Sequence, residues 1–253
     1  MSAAELQRIQ SYLRVAAPRG RDHERIGPFL ATFNRDSDNP YLNYAIPDDG
    51  AMPSADDVAA LVDAYRARAR KPRLEYVSSL APAVEPALLA AGFEVEGRLP
   101  LMMYRGGVEK PVPDGIEVLA ATTDDELRGV AAVQWEAYEE SGPVPERAVD
   151  SLRRTLEAGG LVVLARDAVT GEPAGGGLCT GPHAGATELT SIGVRERYRR
   201  RGIAEAVTRL LAREIQARGC DGVFLMADGP PEERIYARAG FVTISDILHI
   251  SRA

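Results

Sequence analysis

The feature that most constrains the fold of this chain is a basic loop between a predicted strand and a predicted helix. The strand covers Glu188–Val194, and Gly202 stands where the helix begins. Apolar residues then recur at helical spacing up to Gly219, which ends the helix. They form one face of an amphipathic helix: Ile203, Val207, Leu210, Leu211 and Ile215.

The composition of this loop favours an anion. Five arginines fall within seven residues and are opposed by one carboxylate: Arg195, Arg197, Arg199, Arg200, Arg201 and Glu196. A helix N-terminus offers unpaired N–H groups and a partial positive charge. Gly202 lacks the Cβ that would keep a phosphate away, and Ala204 is small. We therefore predict a pyrophosphate site; the alternatives are a solvated surface, a nucleic-acid patch or a glycine that only loosens the helix start.

Composition excludes several classes of protein. The formal net charge of −7, most of it after residue 113, argues against a general nucleic-acid binder. No apolar run approaches the length of a membrane span, and the charged N-terminal stretch has no secretory h-region. Cys179 and Cys220 form neither a disulfide framework nor a zinc spacing, and the three histidines are scattered. We expect a cytoplasmic protein with no metal and no membrane or nucleic-acid partner.

A glycine- and proline-rich segment predicts two domains. Residues 106–115 cannot sustain a helix or a central strand, so we predict domains at 1–105 and 116–253 joined by a linker at 106–115. In the second domain we predict six strands: Ile116–Ala120, Leu161–Ala165, Gly175–Cys179, Glu188–Val194, Val223–Met226 and Phe241–Ile250. Four helices alternate with them: Thr123–Glu140, Glu146 to Gly159, Ile203 to Gly219, and a short one after Pro231.

The first domain contains an echo of the second. Its predicted elements are a strand at Tyr41–Ile46, a helix at Ser54–Arg70 with a capping box, a strand at Leu74–Val77, a helix at Val84–Ala91 and a strand at Phe93–Tyr104. The exit Ala91-Gly92-Phe93 parallels Ala239-Gly240-Phe241. This pattern indicates a duplication; chance is the alternative, because Ala-Gly-Phe is a common helix exit.

Two motifs in this order resemble a known family. The segment Arg199–Ala204, Arg-x-x-Gly-x-Ala between strand and helix, is similar to the acyl-CoA pyrophosphate loop of the GNAT (N-acetyltransferase) superfamily. Tyr236, four residues before Gly240-Phe241, is similar to that family's closing motif. The resemblance implies an α+β fold with a mixed, largely antiparallel sheet flanked by helices, in two tandem GNAT-like halves. It also implies acetyl-CoA as co-substrate and N-acetyltransfer as the reaction.

The resemblance implies which residues hold the cofactor. Glu188–Val194 would splay away from Val223–Met226, with pantetheine pairing along the strand. A backbone N–H there would polarise the thioester carbonyl. A glycine inside a strand often marks a bulge or a close backbone approach, although a routine edge distortion is the alternative for Gly193. The predicted cofactor residues are Ile192, Gly193, Val194, Arg199, Arg200, Arg201, Gly202, Ile203, Ala204 and Glu205.

The resemblance also implies catalytic roles. Tyr236 corresponds to the residue that protonates the departing thiolate; a Tyr that only packs on the helix is the alternative. Glu188, 11 residues before Arg199, corresponds to a general base, or else is a surface carboxylate. An Asn often found before the last helix is replaced by Asp228-Gly229, which puts cofactor contacts from that turn in doubt.

An acidic, aromatic helix end suits a cationic amine. Trp135, Tyr138 and Glu139 cluster there with further carboxylates, and ion pairing and cation–π contact would favour an amine. A solvated acidic helix end is an equal alternative.

The first half lacks the same chemistry. It has Asp48 and Asp49 where the second half has arginines, and Leu88 aligns with Tyr236. Carboxylates repel a pyrophosphate, so we expect a degenerate, structural half.

These features predict an enzyme that acetylates a primary amine, from a small molecule, by direct attack in a ternary complex. We expect a monomer or homodimer. The alternatives are a non-catalytic acyl-CoA-binding or sensing module and a protein or peptide N-acetyltransferase.

Overall fold

The fold is α+β, with a mixed, mostly antiparallel sheet flanked by helices, as predicted. The computed structural model describes residues 2–253. Tertiary contacts divide the chain into two units: one runs to Leu101 and includes Ile244–Ala253, and the other is Met102–Thr243. No helix in residues 2–253 combines the length and apolar character needed to cross a membrane.

The first unit begins with a helix and a hairpin. Its elements are α1 (Ala3–Ala16), β1 (Asp22–Ile26), β2 (Phe29–Phe33), β3 (Ala45–Pro47), α2 (Ala55–Arg66), β4 (Arg73–Tyr76), α3 (Val84–Ala90) and most of β5 (Glu94–Tyr104). The C-terminal part of β11 (Phe241–Ser251) belongs here and pairs antiparallel with β4. The strand order is β1-β2-β3-β4-β11-β5, and β3 and β4 are parallel.

The second unit holds the remaining elements. They are the end of β5, β6 (Ile116–Ala120), α4 (Asp124–Ala137), α5 (Glu146–Glu157), β7 (Leu161–Asp167), β8 (Pro173–Cys179), β9 (Ala186–Val194), α6 (Ile203–Ala217), β10 (Gly222–Met226), α7 (Pro230–Arg238) and the start of β11. The strand order is β5-β10-β9-β8-β7-β6. Only β9 and β10 are parallel in this set of described pairings.

Three helix starts follow directly from the sequence. Ser2, Ser54 and Thr123 each accept a hydrogen bond from the backbone three residues on, and an acidic side chain at that position bonds back. Each pair forms a capping box that satisfies two orphan donors. These boxes fix where α1, α2 and α4 begin.

One predicted strand begins later than expected, and one hairpin was not predicted. The strand expected over Tyr41–Ile46 is β3 at Ala45–Pro47, and a 3₁₀ turn covers Pro40–Leu42, because the Asn39 side chain accepts the Tyr41 N–H and starts a tight turn. The β1–β2 hairpin turns at Gly27-Pro28. Every residue of β2 is buried, so it lacks the alternation that identifies a strand.

Two apolar clusters cover the two faces of the sheet in the second unit. One packs α6 against β9 and β10, and the other packs α4 and α5 against β7 and β8. Helices α4 and α6 approach β8 closely because this strand carries three glycines. A Cβ on Gly175 would lie 2.7 Å from Ile203 of α6, and a Cβ on Gly176 would lie 3.1 Å from Val130 of α4. This packing brings α4 and α6 to the two sides of β9.

In the first unit, a buried cation joins three strands. Arg73 on β4 is fully buried and contacts the Glu75 carboxylate. Its Nε donates to Glu96 Oε2 on β5 at 2.7 Å, and its Nη2 donates to Nδ1 of His249 on β11 at 2.9 Å. Glu96 also accepts from Ser251 on β11 at 2.6 Å. A buried charge is tolerated when it is paired in this way.

Replacing Glu96 by Gln is expected to lower the free energy of unfolding by about 1.5–3 kcal/mol at pH 7, the scale of a hydrogen bond to a charged group. Burial alone would raise the pKa of Glu96, but hydrogen bonds from Lys71, Ser251 and Arg73 outweigh it and hold the pKa at about 2. The stabilisation is therefore complete above the ordinary pKa of 4.5 and is lost as the pH falls towards 2.

Urea unfolding from pH 7 down to pH 3 measures this effect. The difference in midpoint between wild type and Glu96→Gln should shrink below about pH 4.5. Glu117→Gln, which breaks the more exposed pair with Arg166, is the matched control. A difference that stays constant down to pH 3 would contradict the assignment.

Candidate active site

The parallel strands β9 and β10 separate part-way along their length. Their pairing covers Gly222↔Ala186, Val223↔Thr187 and Phe224↔Glu188. Beyond Glu188, β9 continues to Val194 and β10 to Met226, but the described register contains no further pairs between them. The second half of β9 therefore faces a gap on its β10 side.

A β-bulge sets which backbone groups face that gap. Thr190 pairs with Leu178 and Gly193 pairs with Gly176, so that two residues of β9, Ser191 and Ile192, lie opposite one residue of β8. Ser191 has the left-handed φ of 57°, which is uncommon for a residue with a Cβ.

Past the bulge, the strand alternates again. The Arg195 N–H donates to Ala174 O on β8 at 3.0 Å. Since backbone polar groups alternate between the two edges of a regular strand, those of Gly193 face β8 and those of Val194 face the gap. The strand past the bulge therefore presents the peptide groups of Val194 to the gap.

The end of α4 packs directly against this part of β9. The Gln134 side chain donates to Ser191 O at 3.1 Å. Gly193 is buried, and a Cβ there would lie 3.0 Å from the Cβ of Ala137. This close approach of α4 is the structural reason for a glycine in the strand.

The basic loop ends at an uncapped helix. A 3₁₀ turn at Glu196–Tyr198 is followed by left-handed backbone at Arg200 (φ 63°) and Gly202 (φ 81°), and α6 begins at Ile203. No described side chain caps α6, and Ala206 N–H donates back to Gly202 O. The amides of the first turn therefore have no intrahelical acceptor and point out of the helix end.

Two of the five arginines are neutralised by carboxylates. Glu172, in the turn between β7 and β8, accepts from Arg195 Nη1 at 3.2 Å and from the Tyr198 hydroxyl at 3.1 Å, and it also pairs with Arg197. The Arg195 Nε lies 3.0 Å from a carboxylate oxygen of Glu136 on α4. Glu172 and Glu136 together compensate the charges of Arg195 and Arg197, and Glu172 also holds the loop through the Tyr198 hydroxyl.

The other three arginines are exposed and lack ion-pair partners. Among residues 2–253, no carboxylate oxygen lies within 4.0 Å of the guanidinium groups of Arg199, Arg200 or Arg201. The Arg199 Nε donates to Val194 O at 3.3 Å, and the Arg201 Nη2 donates to Asp114 O at 3.2 Å. These contacts leave their charge uncompensated beside the α6 N-terminus.

The remaining predicted cofactor residues lie in the first turn of α6. Ile203 is buried in the apolar cluster and Ala204 is half-buried. The Glu205 carboxylate pairs with Lys110 at 2.7 Å and with Arg238 at 3.1 Å. Only the backbone of Glu205 is then suited to an anion.

Tyr236 lies on α7 and packs against the apolar cluster formed by α6, β9 and β10. Its ring packs edge-on against Phe241, with the centroids 6.4 Å apart. Burial, reinforced by the nearby Tyr138 and by the charge of Asp228, raises the pKa of the Tyr236 phenol to about 12. The phenol is therefore a protonated donor throughout the neutral range.

Glu188 lies where the strands part, three residues before the bulge. Leu189 packs in the α6 cluster, whereas Leu178, opposite Thr190, packs in the α4 and α5 cluster. Paired residues share a face, so Thr190 and Glu188 project towards α4 and α5. Glu188 is half-buried on that face.

The predicted acceptor residues are only partly brought together. Tyr138 is exposed and lies near the Ser191 side chain and near the Tyr236 phenol, whose pKa it helps to raise. The Trp135 indole donates to Gly142 O at 3.0 Å, so it holds the loop after α4. Glu139 lines a cavity of about 200 Å³ with Arg195 and Arg199, on the side of the basic loop.

Sequence reasoning missed Gln134 and Glu172. Each is a single polar residue, one inside an amphipathic helix and one in a turn, and its role depends on a contact more than twenty residues away in sequence.

Comparison with known proteins identifies this unit. Residues 127–241, which contain the bulge, the basic loop and Tyr236, match the family model described as "Acetyltransferase (GNAT) family". These residues form a GNAT acetyltransferase domain. The family indicates an acyltransferase that uses acetyl-CoA. A search of curated proteins finds no match to this chain.

Solved structures share the fold over the whole chain. A GCN5-related N-acetyltransferase from Kribbella flavida superposes with a TM-score of 0.77 at 23% identity, covering 100% of this chain and 96% of that one. One from Sphaerobacter thermophilus gives 0.67 at 18% identity, covering 89% and 76%. A tandem GNAT protein from the clavulanic acid biosynthesis pathway gives 0.66 at 15% identity, covering 92% and 83%. The chain therefore has a tandem GNAT fold.

In the first unit, a buried side chain bridges the ends of two parallel strands. The parallel strands β3 and β4 share one pair, Ala45↔Leu74. The buried amide of Gln10 on α1 donates to Pro47 O at 3.4 Å and accepts the Val77 N–H at 3.0 Å, so it bridges the ends of both strands.

Proposed function

We propose that the GNAT domain transfers an acetyl group from acetyl-CoA to a primary amine of a small molecule, by direct attack within a ternary complex. One observation carries this proposal. The N-terminus of α6 is uncapped, and the guanidinium groups of Arg199, Arg200 and Arg201 beside it have no carboxylate partner. Both follow the part of β9 that is no longer paired with β10. A thioester carrier with a diphosphate and an amide-containing arm fits this combination of groups.

Different residues would bind the diphosphate and the pantetheine arm of acetyl-CoA. The diphosphate would accept hydrogen bonds from the amides at Gly202–Glu205 and from the side chains of Arg199, Arg200 and Arg201. The pantetheine amides would pair with the backbone of Ile192 and Val194, as an added strand pairs with a sheet edge. Gly193 serves this indirectly, because it allows α4 to support the strand.

The chemistry requires a hydrogen-bond donor to the oxyanion, a general base and a general acid. An N–H of Ile192 facing the gap would stabilise the oxyanion that forms when the amine attacks the thioester carbon. Glu188 would receive the proton that the attacking nitrogen loses, directly or through water. When the C–S bond breaks, Tyr236 would give its proton to the sulfur.

Direct attack is favoured over an acyl-enzyme. Burial raises the pKa of the Cys179 thiol, so it stays protonated and is a poor nucleophile. Cys220 is also buried. We place the acceptor amine beside Tyr138, with Trp135 holding the loop that follows α4. A cytoplasmic location and a monomeric or homodimeric state remain predictions.

Titration calorimetry with acetyl-CoA is expected to give one site per chain, because Gln10 bridges the ends of β3 and β4 in the first unit and the loop carboxylates Asp48 and Asp49 pair with Arg25 and Arg14. A screen of small amines for released CoA thiol should then show turnover.

Three outcomes would change the proposal. Two equivalent sites per chain would contradict a degenerate first half. Tight binding without turnover, on small amines or on peptides, would favour an acyl-CoA-binding module. Turnover on peptides alone would favour a peptide N-acetyltransferase.

A further inference from the structure

The bulge in β9 contains one peptide group that is held from the side of α4. The carbonyl of Ser191 accepts a hydrogen bond from Gln134 Nε2 at 3.1 Å. The peptide that follows is trans, as are all peptide bonds in residues 2–253. In a planar trans peptide, the C=O of one residue and the N–H of the next point in opposite directions. Holding Ser191 O therefore fixes the direction of the Ile192 N–H.

That direction is the one the reaction needs. Ile192 lies beyond the last pair between β9 and β10, and its N–H points away from the Gln134 side chain that holds Ser191 O. Under the proposed function, this is where the thioester carbonyl lies. A donor is useful there only if it is aimed before the oxyanion forms.

The backbone at this position needs external support. Ser191 is in the left-handed region, where a residue with a Cβ persists only if its surroundings hold it. The last turns of α4 supply two contacts: the Gln134 hydrogen bond and the packing of Ala137 on Gly193. Of these, only Gln134 bonds to the peptide that carries the Ile192 N–H.

We propose that Gln134 is a positioning residue that aims the Ile192 N–H at the thioester carbonyl. The inference depends on the proposed function, since it names the residue that orients the donor used in that reaction. Gln134 acts through one peptide group and not by contact with a substrate.

The first test replaces Gln134 by Met, which keeps the length and helix propensity but cannot donate. Removing a whole oxyanion donor lowers kcat by about 10²–10³-fold, so a misaimed donor should lower kcat by about 10–100-fold. The Kd for acetyl-CoA, measured by calorimetry, should change less than about threefold, because the diphosphate site is untouched. Gln216→Met, at an exposed glutamine on α6, is the matched control and should leave both unchanged.

A second variant separates positioning from general damage. Gln134→Glu cannot donate when ionised but regains a donor when protonated. Its kcat relative to wild type at the same pH should therefore rise as the pH falls from 8 to 5.5. A purely structural role predicts a ratio that stays flat with pH.

The outcomes distinguish this inference from the function beneath it. Wild type that binds no acetyl-CoA, or acetylates no amine, overturns the proposed function and the inference with it. Wild type that is active, together with Gln134→Met at full kcat, overturns the inference alone. An equal loss of kcat and acetyl-CoA affinity, with a flat Gln134→Glu ratio, also overturns it.

Discussion

Replacing Tyr236 by Phe is expected to lower kcat about 10²–10⁴-fold, the usual contribution of a positioned general acid, and to leave the Kd for acetyl-CoA nearly unchanged. The substitution removes one oxygen and keeps the ring that packs against Phe241. The lost hydroxyl matters only when the C–S bond breaks, so the loss should appear in kcat and not in binding.

The pKa of Tyr236 shapes the pH profile. Since burial raises it to about 12, the phenol stays protonated well beyond its ordinary value of 10. The rate of the wild type should rise with pH as the acceptor amine loses its proton, without a decline from Tyr236 below about pH 10. In Tyr236→Phe the rise should persist while the plateau drops.

Tyr138→Phe is the matched control, because it removes the other phenol near the same space. Its kcat should fall far less than that of Tyr236→Phe. Stopped-flow or steady-state release of CoA thiol measures both variants. Full turnover by Tyr236→Phe would remove this residue from the mechanism.

Local patterns predicted the centre of the site. The arginines, Gly202 and the apolar face of α6 are contiguous in sequence, and their meaning depends on helix-end electrostatics and 3.6-residue periodicity. The structure places this strand, loop and helix in the predicted order, with α6 ending near Gly219.

What depends on long-range contacts was not predictable from the sequence. Which arginines are paired depends on Glu172, which bonds to Arg195 across 23 residues of sequence. The proposed orientation of the Ile192 N–H depends on Gln134, which lies 57 residues from Ser191. Similarly, the end of β11 pairs with β4 of the first unit, a partner more than 170 residues earlier. The spacing of apolar residues, every two in a strand and every 3.6 in a helix, carries no information about such distant partners.

Replacing both Arg199 and Arg201 by Gln is expected to weaken acetyl-CoA binding about 10²–10⁴-fold. A charge-assisted hydrogen bond contributes about 1.5–3 kcal/mol, and every 1.4 kcal/mol changes Kd about tenfold. Neither arginine has a carboxylate partner to lose, so the substitutions should have little effect on folding. With the amine saturating, kcat should change little.

Another arginine of the same loop, Arg197, provides the control. Arg197 belongs to the same loop and is exposed, but it pairs with Glu172, so its charge is already compensated. Arg197→Gln should change the acetyl-CoA Kd by less than tenfold. Calorimetry at low and high salt measures all three proteins, and the salt dependence should be smaller for the double variant.

A truncated donor locates the lost contacts on the carrier. S-acetylpantetheine has the thioester and the amide arm but no diphosphate, so its KM should be the same for wild type and for Arg199→Gln/Arg201→Gln. An equal loss with both donors would mean that the loop supports the strand instead of binding phosphate. Unchanged acetyl-CoA affinity in the double variant would contradict a diphosphate site at the α6 N-terminus. Of the loop arginines in residues 2–253, only Arg200 would then remain exposed and without a carboxylate partner beside that helix end.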